Sequence, residues 1–225
     1  MELVGAETRT AARTAVALTV TAVLAAGSWI VVVRRMSGMD MGTATELGPL
    51  GSFLGLWVPM TAAMMLPGAV PAVLRHVRGG GRAAAGPLFV AAYLAVWTLI
   101  GLLVYALYQP HRTFTAGVLL LGASVYEFTP VKRNGRRRCR EHSSSGLAYG
   151  FGCAGACLGL MMVPLALGVM NLAWTVAISL AVTAQKLLPA RAAVEVEQAL
   201  LLAVLAVLTL VAPSSVTTVM AHVHS

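Results

Sequence analysis

Long apolar stretches alternate with short polar segments along the whole chain. Several of them reach the roughly 20 residues that a helix needs to cross about 30 Å of hydrocarbon at about 1.5 Å per residue. The pattern predicts seven spans, near residues 14–33, 50–74, 88–108, 113–129, 147–167, 171–188 and 198–212. The fourth and the last are short, so six or eight spans also fit. We therefore predict an all-α polytopic membrane protein in which residues 1–225 form one integral membrane domain and one bundle.

Composition supports a bilayer environment over an aqueous one. Of the 225 residues, 58% are hydrophobic and only 11% are charged, against about 25% charged residues in a soluble domain. Arg9 and Arg13 precede the first apolar run, as in a signal peptide. That run is longer than the roughly 7 to 15 residues of a signal sequence, so we expect a retained helix.

The basic residues predict the orientation of the chain. With the N-terminus inside, 13 of the 16 Lys and Arg residues fall in cytoplasmic segments, and Arg34, Arg35 and Arg112 fall outside. Because Lys and Arg stay on the cytoplasmic side, we predict an N-terminus inside and a C-terminus outside. Topology and contact with the lipid bilayer account for the net charge of +8, so we expect no nucleic acid partner.

Three methionines lie in the polar segment that follows the first span. Met36, Met39 and Met41 form an M-x-x-M-x-M run, and thioether sulfur suits Cu(I) in an oxidising compartment where thiolates would be lost to disulfides. Asp40 and the C-terminal sequence HVHS share this predicted face. The sequence thus predicts a copper contact outside, although interfacial methionines also pack against lipid.

A second sulfur cluster opens the fifth span, in the sequence GFGCAGACLGLMM. Cys153, Cys157 and Met161 follow one another at i, i+4 spacing, which places them on one helix face. The glycines between them form small-xxx-small patterns, so close helix packing explains the same residues. Both readings stay open at this stage.

The longest polar stretch, residues 130–146, is predicted to be a cytoplasmic loop. Cys139 follows three arginines in it and could swing toward the fifth span, its thiolate favoured by those charges. Glu127 and Lys186 fall near the predicted cytoplasmic boundary, where snorkelling is a sufficient explanation for them. No catalytic set of His, Ser or paired carboxylates is visible, so we expect no enzyme and no cofactor beyond a copper ion.

The sequence resembles an uncharacterised bacterial family of predicted metal-binding integral membrane proteins. The resemblance rests on five motifs that occur in order over residues 57–189: WVPMTAAMMLP, YEFTPVK, CAGACLGLMM, GVMNLAW and QKLLP. It implies a suspected metal site in the bacterial cytoplasmic membrane. The family pattern has Gln at 127, Cys at 135 and 156, Trp at 158 and Glu at 185, where this chain has Glu, Gly, Ala, Leu and Gln.

Two functions fit these observations. The first is soft-metal handling, most simply copper(I) binding, delivery or tolerance. The two sulfur clusters would lie about 30 Å apart at opposite membrane faces, so a relay would connect them. The second is a non-catalytic subunit or assembly factor that packs against a partner membrane or periplasmic protein.

Overall fold

The computed structural model describes residues 2–37, 47–79, 85–107, 113–141, 145–167, 172–187 and 192–211. Over these ranges the chain forms helices and turns without a strand. The helices are α1 (Glu2–Met36), α2 (Leu50–Arg78), α3 (Ala85–Leu107), α4 (Thr113–Glu127), α5 (Pro130–Glu141), α6 (Gly146–Leu167), α7 (Leu172–Leu187) and α8 (Ala192–Val211). The all-α prediction is confirmed for the described part of the chain.

Each predicted span coincides with a helix, but fewer of these helices pass as membrane spans. On length and composition four described helices can cross a bilayer, namely α1 from Thr8, α2, α3 and α6. A fifth is gained if α4 and α5 are counted as one bent span. Because α7 has 16 residues and the apolar part of α8 is equally short, the count of seven stays a prediction.

The prediction of a loop over residues 130–146 is wrong, because Pro130–Glu141 forms helix α5. Proline cannot continue α4 but suits the first turn of a new helix, where its missing N–H is not needed. Thr129 caps α5, since its Oγ1 accepts a hydrogen bond from the Lys132 backbone N–H at 3.5 Å. The axis turns by 64° between α4 and α5, and α5 then packs along α6.

Helix α2 lies at the centre of the bundle, against α1, α3 and α7. Its residues from Met60 to Leu66 are all buried. Trp57 ties it to α3, because the indole N–H donates a hydrogen bond to the Trp97 carbonyl at 2.9 Å. Gly101 provides the space for the Trp57 ring, since an added Cβ there would collide with the indole. The second span predicted from the sequence is thus a core helix.

The outer surface of the bundle is apolar. Large side chains such as Leu88, Leu107 and Leu201 are 69%, 71% and 69% exposed. An apolar exterior of this kind is typical of a surface that contacts lipid or another protein rather than water. The described helices are therefore compatible with insertion into a membrane.

A buried ion pair lies where α4 meets α5. The Glu127 carboxylate contacts the Lys132 ammonium, and both side chains are 0% exposed. Gly159 of α6 makes room for the carboxylate, because an added Cβ would collide with Glu127 Oε1. The expectation that Glu127 snorkels to the boundary is wrong, since this carboxylate is neutralised inside the bundle.

Candidate metal centre

Two thiols form the centre of the candidate site. Cys153 and Cys157 lie one turn apart on α6, both are 0% exposed, and their Sγ atoms are 3.9 Å apart. A metal ion about 2.3 Å from each sulfur can bridge two sulfurs up to about 4.6 Å apart. The two side chains are therefore close enough to hold one ion between them, and both are free thiols.

Helix α5 brings the third thiol to this pair. Cys139 packs against α6, where its Sγ lies 3.9 Å from the Tyr149 carbonyl oxygen, one turn before Cys153. The approach depends on Gly135, where an added Cβ would lie 2.7 Å from the Ala156 nitrogen. All three cysteines of the chain thus meet at the α5–α6 contact, and the structure places Cys139 on a helix rather than in a loop.

A lysine and a tyrosine connect α7 and α3 to the thiols. The Lys186 ammonium donates a hydrogen bond to the Tyr93 hydroxyl at 3.2 Å, and this hydroxyl lies 3.2 Å from Cys153 Sγ. Lys186 also donates to the Met65 carbonyl at 3.5 Å. The expectation that Lys186 snorkels to a boundary is wrong, because its ammonium is engaged inside the bundle.

The methionines fall into two groups. Met161 is buried one turn beyond Cys157 on α6, and Met65 Sδ lies 3.9 Å from the Lys186 ammonium. Met36 is buried at the far end of α1 and is not brought to the thiols. Met39 and Met41 lie outside the described residues.

A small cavity of about 50 Å³ adjoins the thiols. Its lining includes three cationic side chains and two thiols beside small and apolar residues, namely Arg75, Arg136, Lys186, Cys139 and Cys157. A cavity of this size holds one or two water molecules. It gives the buried sulfurs a route toward the end of the bundle where α2 and α7 finish.

The three sulfurs form a row and not a closed shell. In the described part of the chain no group of three or more His, Cys, Asp or Glu side chains surrounds a common point. Within the described residues, the Cys153–Cys157 pair has its sulfurs placed for a shared ion; at 3.9 Å they hold it in a bent arrangement, and linear two-coordinate binding requires them to move apart to about 4.6 Å. Cys139 becomes a third ligand only if its side chain turns.

Sequence reasoning missed Tyr93, Tyr149 and Met65 as neighbours of the thiols. Tyr149 donates a hydrogen bond to the Gly68 carbonyl at 3.5 Å and packs against the Tyr93 ring. Tyr149 lies on α6 one turn before Cys153, so the same i, i+4 spacing could have identified it. Nothing in the local sequence marks Tyr93 or Met65, because they reach the site through the packing of α3 and α2.

The chain falls in the class of apolar helical bundles that carry buried sulfur side chains, the ligand type that suits soft ions such as Cu(I). Within that class the chain belongs to the PpoB2 family, described as a copper chaperone, whose model matches residues 54–209. The match covers the three cysteines and Lys186, and it excludes Met36, Met39 and Met41. No curated protein and no solved structure matches the chain.

Family membership supports a copper-related function. It confirms the metal-related part of the resemblance seen in the sequence, and it makes copper the metal that the family description indicates. The bacterial origin and the membrane location implied by that resemblance stay expectations.

Proposed function

We propose that the protein is a membrane copper chaperone in which Cys153 and Cys157 bind one Cu(I) ion. The observation that carries this proposal is the 3.9 Å distance between the two buried sulfurs. Two thiolates suffice for a soft monovalent ion, and burial protects both thiols from oxidation and exchange. Binding releases the thiol protons, so copper affinity rises with pH.

Cys139 is proposed to pass the ion between the pair and the adjoining cavity. It lines the same cavity as Cys157 and packs on α6 beside the Tyr149 carbonyl, so it lies between the pair and the cavity. A transient three-sulfur arrangement lets copper move by ligand exchange without ever losing all of its ligands. Delivery then requires an acceptor, and a partner membrane or periplasmic protein fits this role.

The proposed location is the bacterial cytoplasmic membrane, with the N-terminus inside and the C-terminus outside. The apolar exterior and the four helices long enough to span a bilayer support insertion. In this orientation the thiols lie toward the reducing cytoplasm, where they persist as thiols. Met36, Met39 and Met41 lie outside, where thioethers would contribute a second copper contact.

The test is anaerobic Cu(I) loading of the purified protein in detergent, with a chromophoric chelator as competitor. The Cys153→Ser, Cys157→Ser double variant is expected to lose about one tightly bound Cu(I) per chain. Met162→Leu is the matched control, because it removes a partly buried sulfur from the same helix without touching the pair. This control should load like the wild type.

The alternative, a packing role for these residues in a non-catalytic subunit or assembly factor, gives a different result. In that case the double variant would lose folded protein while the copper content of the remaining protein stayed unchanged. A wild type that binds no copper under these conditions would also reject the proposal.

A further inference from the structure

The path of the Lys186 side chain is set by a glycine on a neighbouring helix. At Gly68 of α2 an added Cβ would lie 2.5 Å from Lys186 Cδ and 3.5 Å from its Cβ and Cε. The aliphatic stem thus crosses α2 where there is no side chain. It directs the ammonium inward to the Met65 carbonyl and the Tyr93 hydroxyl.

The two hydrogen bonds that link Lys186 through Tyr93 to Cys153 have a defined direction. An ammonium carries donors only, so the Tyr93 oxygen must accept from Lys186. The single hydroxyl proton of Tyr93 is then free to point at Cys153 Sγ, 3.2 Å away. This is the arrangement that stabilises a thiolate at Cys153, because a charged acceptor strengthens the bond.

Charge balance follows from this arrangement. Two thiolates and a monovalent ion leave one negative charge, and the Lys186 ammonium cancels it. Two thiolates and a divalent ion are already neutral, so the same ammonium leaves one uncompensated positive charge. An unbalanced charge is costly in a buried site, so the lysine favours the first combination.

The other cations near the thiols are placed less directly. Lys132 contacts Glu127 and forms a neutral pair. Arg75 lines the cavity but is exposed, and its Nε donates to the Pro71 carbonyl at 3.3 Å. Arg136 is buried in the cavity wall. Lys186 is the cation joined to Cys153 by two consecutive hydrogen bonds.

We infer that Lys186 is a specificity-determining residue which makes the thiol pair select a monovalent soft ion over a divalent one. This inference rests on the proposed function, and it adds a reason for the choice between Cu(I) and a divalent ion such as Zn(II). Lys186 acts through Tyr93 and does not contact the ion.

The test compares Ag(I), a monovalent probe that needs no reductant, with Cd(II) as the divalent probe. Affinities are measured on the full chain in detergent, in chloride-free buffer, for the wild type, Lys186→Met and Lys186→Arg. Lys186→Met is expected to weaken Ag(I) binding by about 10- to 100-fold, the range for residues that support metal ligands. Cd(II) binding should hold or strengthen.

Three variants separate the effect of the Lys186 charge from a structural effect. Lys186→Arg keeps the charge and should retain the Ag(I) preference of the wild type. Arg75→Met removes an exposed cation from the same cavity and should change the Ag(I):Cd(II) ratio less than about threefold. Tyr93→Phe breaks the hydrogen-bond chain and should lower the ratio even where Lys186→Met gives little folded protein.

The results distinguish this inference from the proposed function. If the wild type binds both ions and Lys186→Met weakens them equally, Lys186 is a structural residue and the inference is overturned. The inference is also overturned if the Ag(I):Cd(II) affinity ratio is unchanged in both Lys186→Met and Tyr93→Phe. If the wild type binds neither Ag(I) nor Cu(I), the proposed function itself fails.

Discussion

The buried Glu127–Lys132 pair makes a strong prediction about stability. Glu127→Gln removes the carboxylate charge without changing the size of the side chain, so the gap over Gly159 remains filled. The Lys132 ammonium, 0% exposed, then stays in the bundle without its countercharge. Breaking a buried pair from one side costs about 3–5 kcal/mol, so we expect a loss of that size in the free energy of unfolding.

Unfolding in mild detergent, followed by tryptophan fluorescence, measures this loss. The double variant Glu127→Gln, Lys132→Met removes both charges and should recover most of the stability that either single variant loses. Glu197→Gln is the matched control, because Glu197 is an exposed carboxylate on α8. Its effect should stay within about 0.5 kcal/mol.

The reasoning would be refuted by either of two results. The first is a Glu127→Gln variant as stable as Glu197→Gln, which would mean that water reaches the pair. The second is strict additivity of the two single changes, because a contacting pair must show a coupling energy in a double-mutant cycle.

Two further variants probe the remaining sulfur sites. Gly135→Ala places a Cβ 2.7 Å from the Ala156 nitrogen and 2.8 Å from the Gly155 carbonyl carbon. Because these are backbone atoms, the variant should lose about 1–3 kcal/mol of the free energy of unfolding and should speed maleimide labelling of Cys139. Unchanged labelling would contradict the close α5–α6 contact. Replacing Met36, Met39 and Met41 by Leu should lower total bound Cu(I) while the Cys153–Cys157 site keeps its ion, and an unchanged stoichiometry would remove this segment from the copper function.

Seven of the eight described helices were predictable because each of the seven carries its own apolar run. The i, i+4 spacing of Cys153 and Cys157 also fixed their common face once α6 was recognised as a helix. Helix α5 was not predictable in this way. Its sequence PVKRNGRRRCRE is strongly polar, and a charged stretch with an internal glycine is typical of a loop. It is helical because Pro130 and Thr129 start it and Gly135 lets it pack on α6.

The surroundings of the thiols depended on contacts between residues far apart in sequence. Lys186 points inward because of Gly68, which belongs to another helix and lies 118 residues earlier. Tyr93 reaches Cys153 only because α3 packs against α6. From sequence alone Lys186 is a polar residue at the end of a span, and snorkelling is then the simplest explanation. The inward direction is a property of the packed bundle.

The departures from the pattern of the family that the sequence resembles lie next to one another in the structure. Gly135 and Ala156, which stand at two cysteine positions of that pattern, face each other across the α5–α6 contact. Their contact means that one neighbouring pair of thiols is absent, whereas the Cys153 and Cys157 sulfurs remain 3.9 Å apart and Cys139 and Cys157 line the same cavity.

Compared with the family pattern, this end of α5 carries less net positive charge, just as the site carries fewer thiols. Glu127 stands where the pattern has Gln, and here it neutralises Lys132, which lies within electrostatic reach of Cys157. A site with fewer thiolates needs fewer cations nearby, since any surplus positive charge in the bundle is unfavourable. With Lys132 neutralised, Lys186 is the cation linked to Cys153 through Tyr93, and it offsets the one negative charge that a pair of thiolates carries when it holds a monovalent ion. The same count predicts that Glu127→Gln, by releasing the Lys132 charge beside Cys157, makes a divalent ion still less favourable in this site.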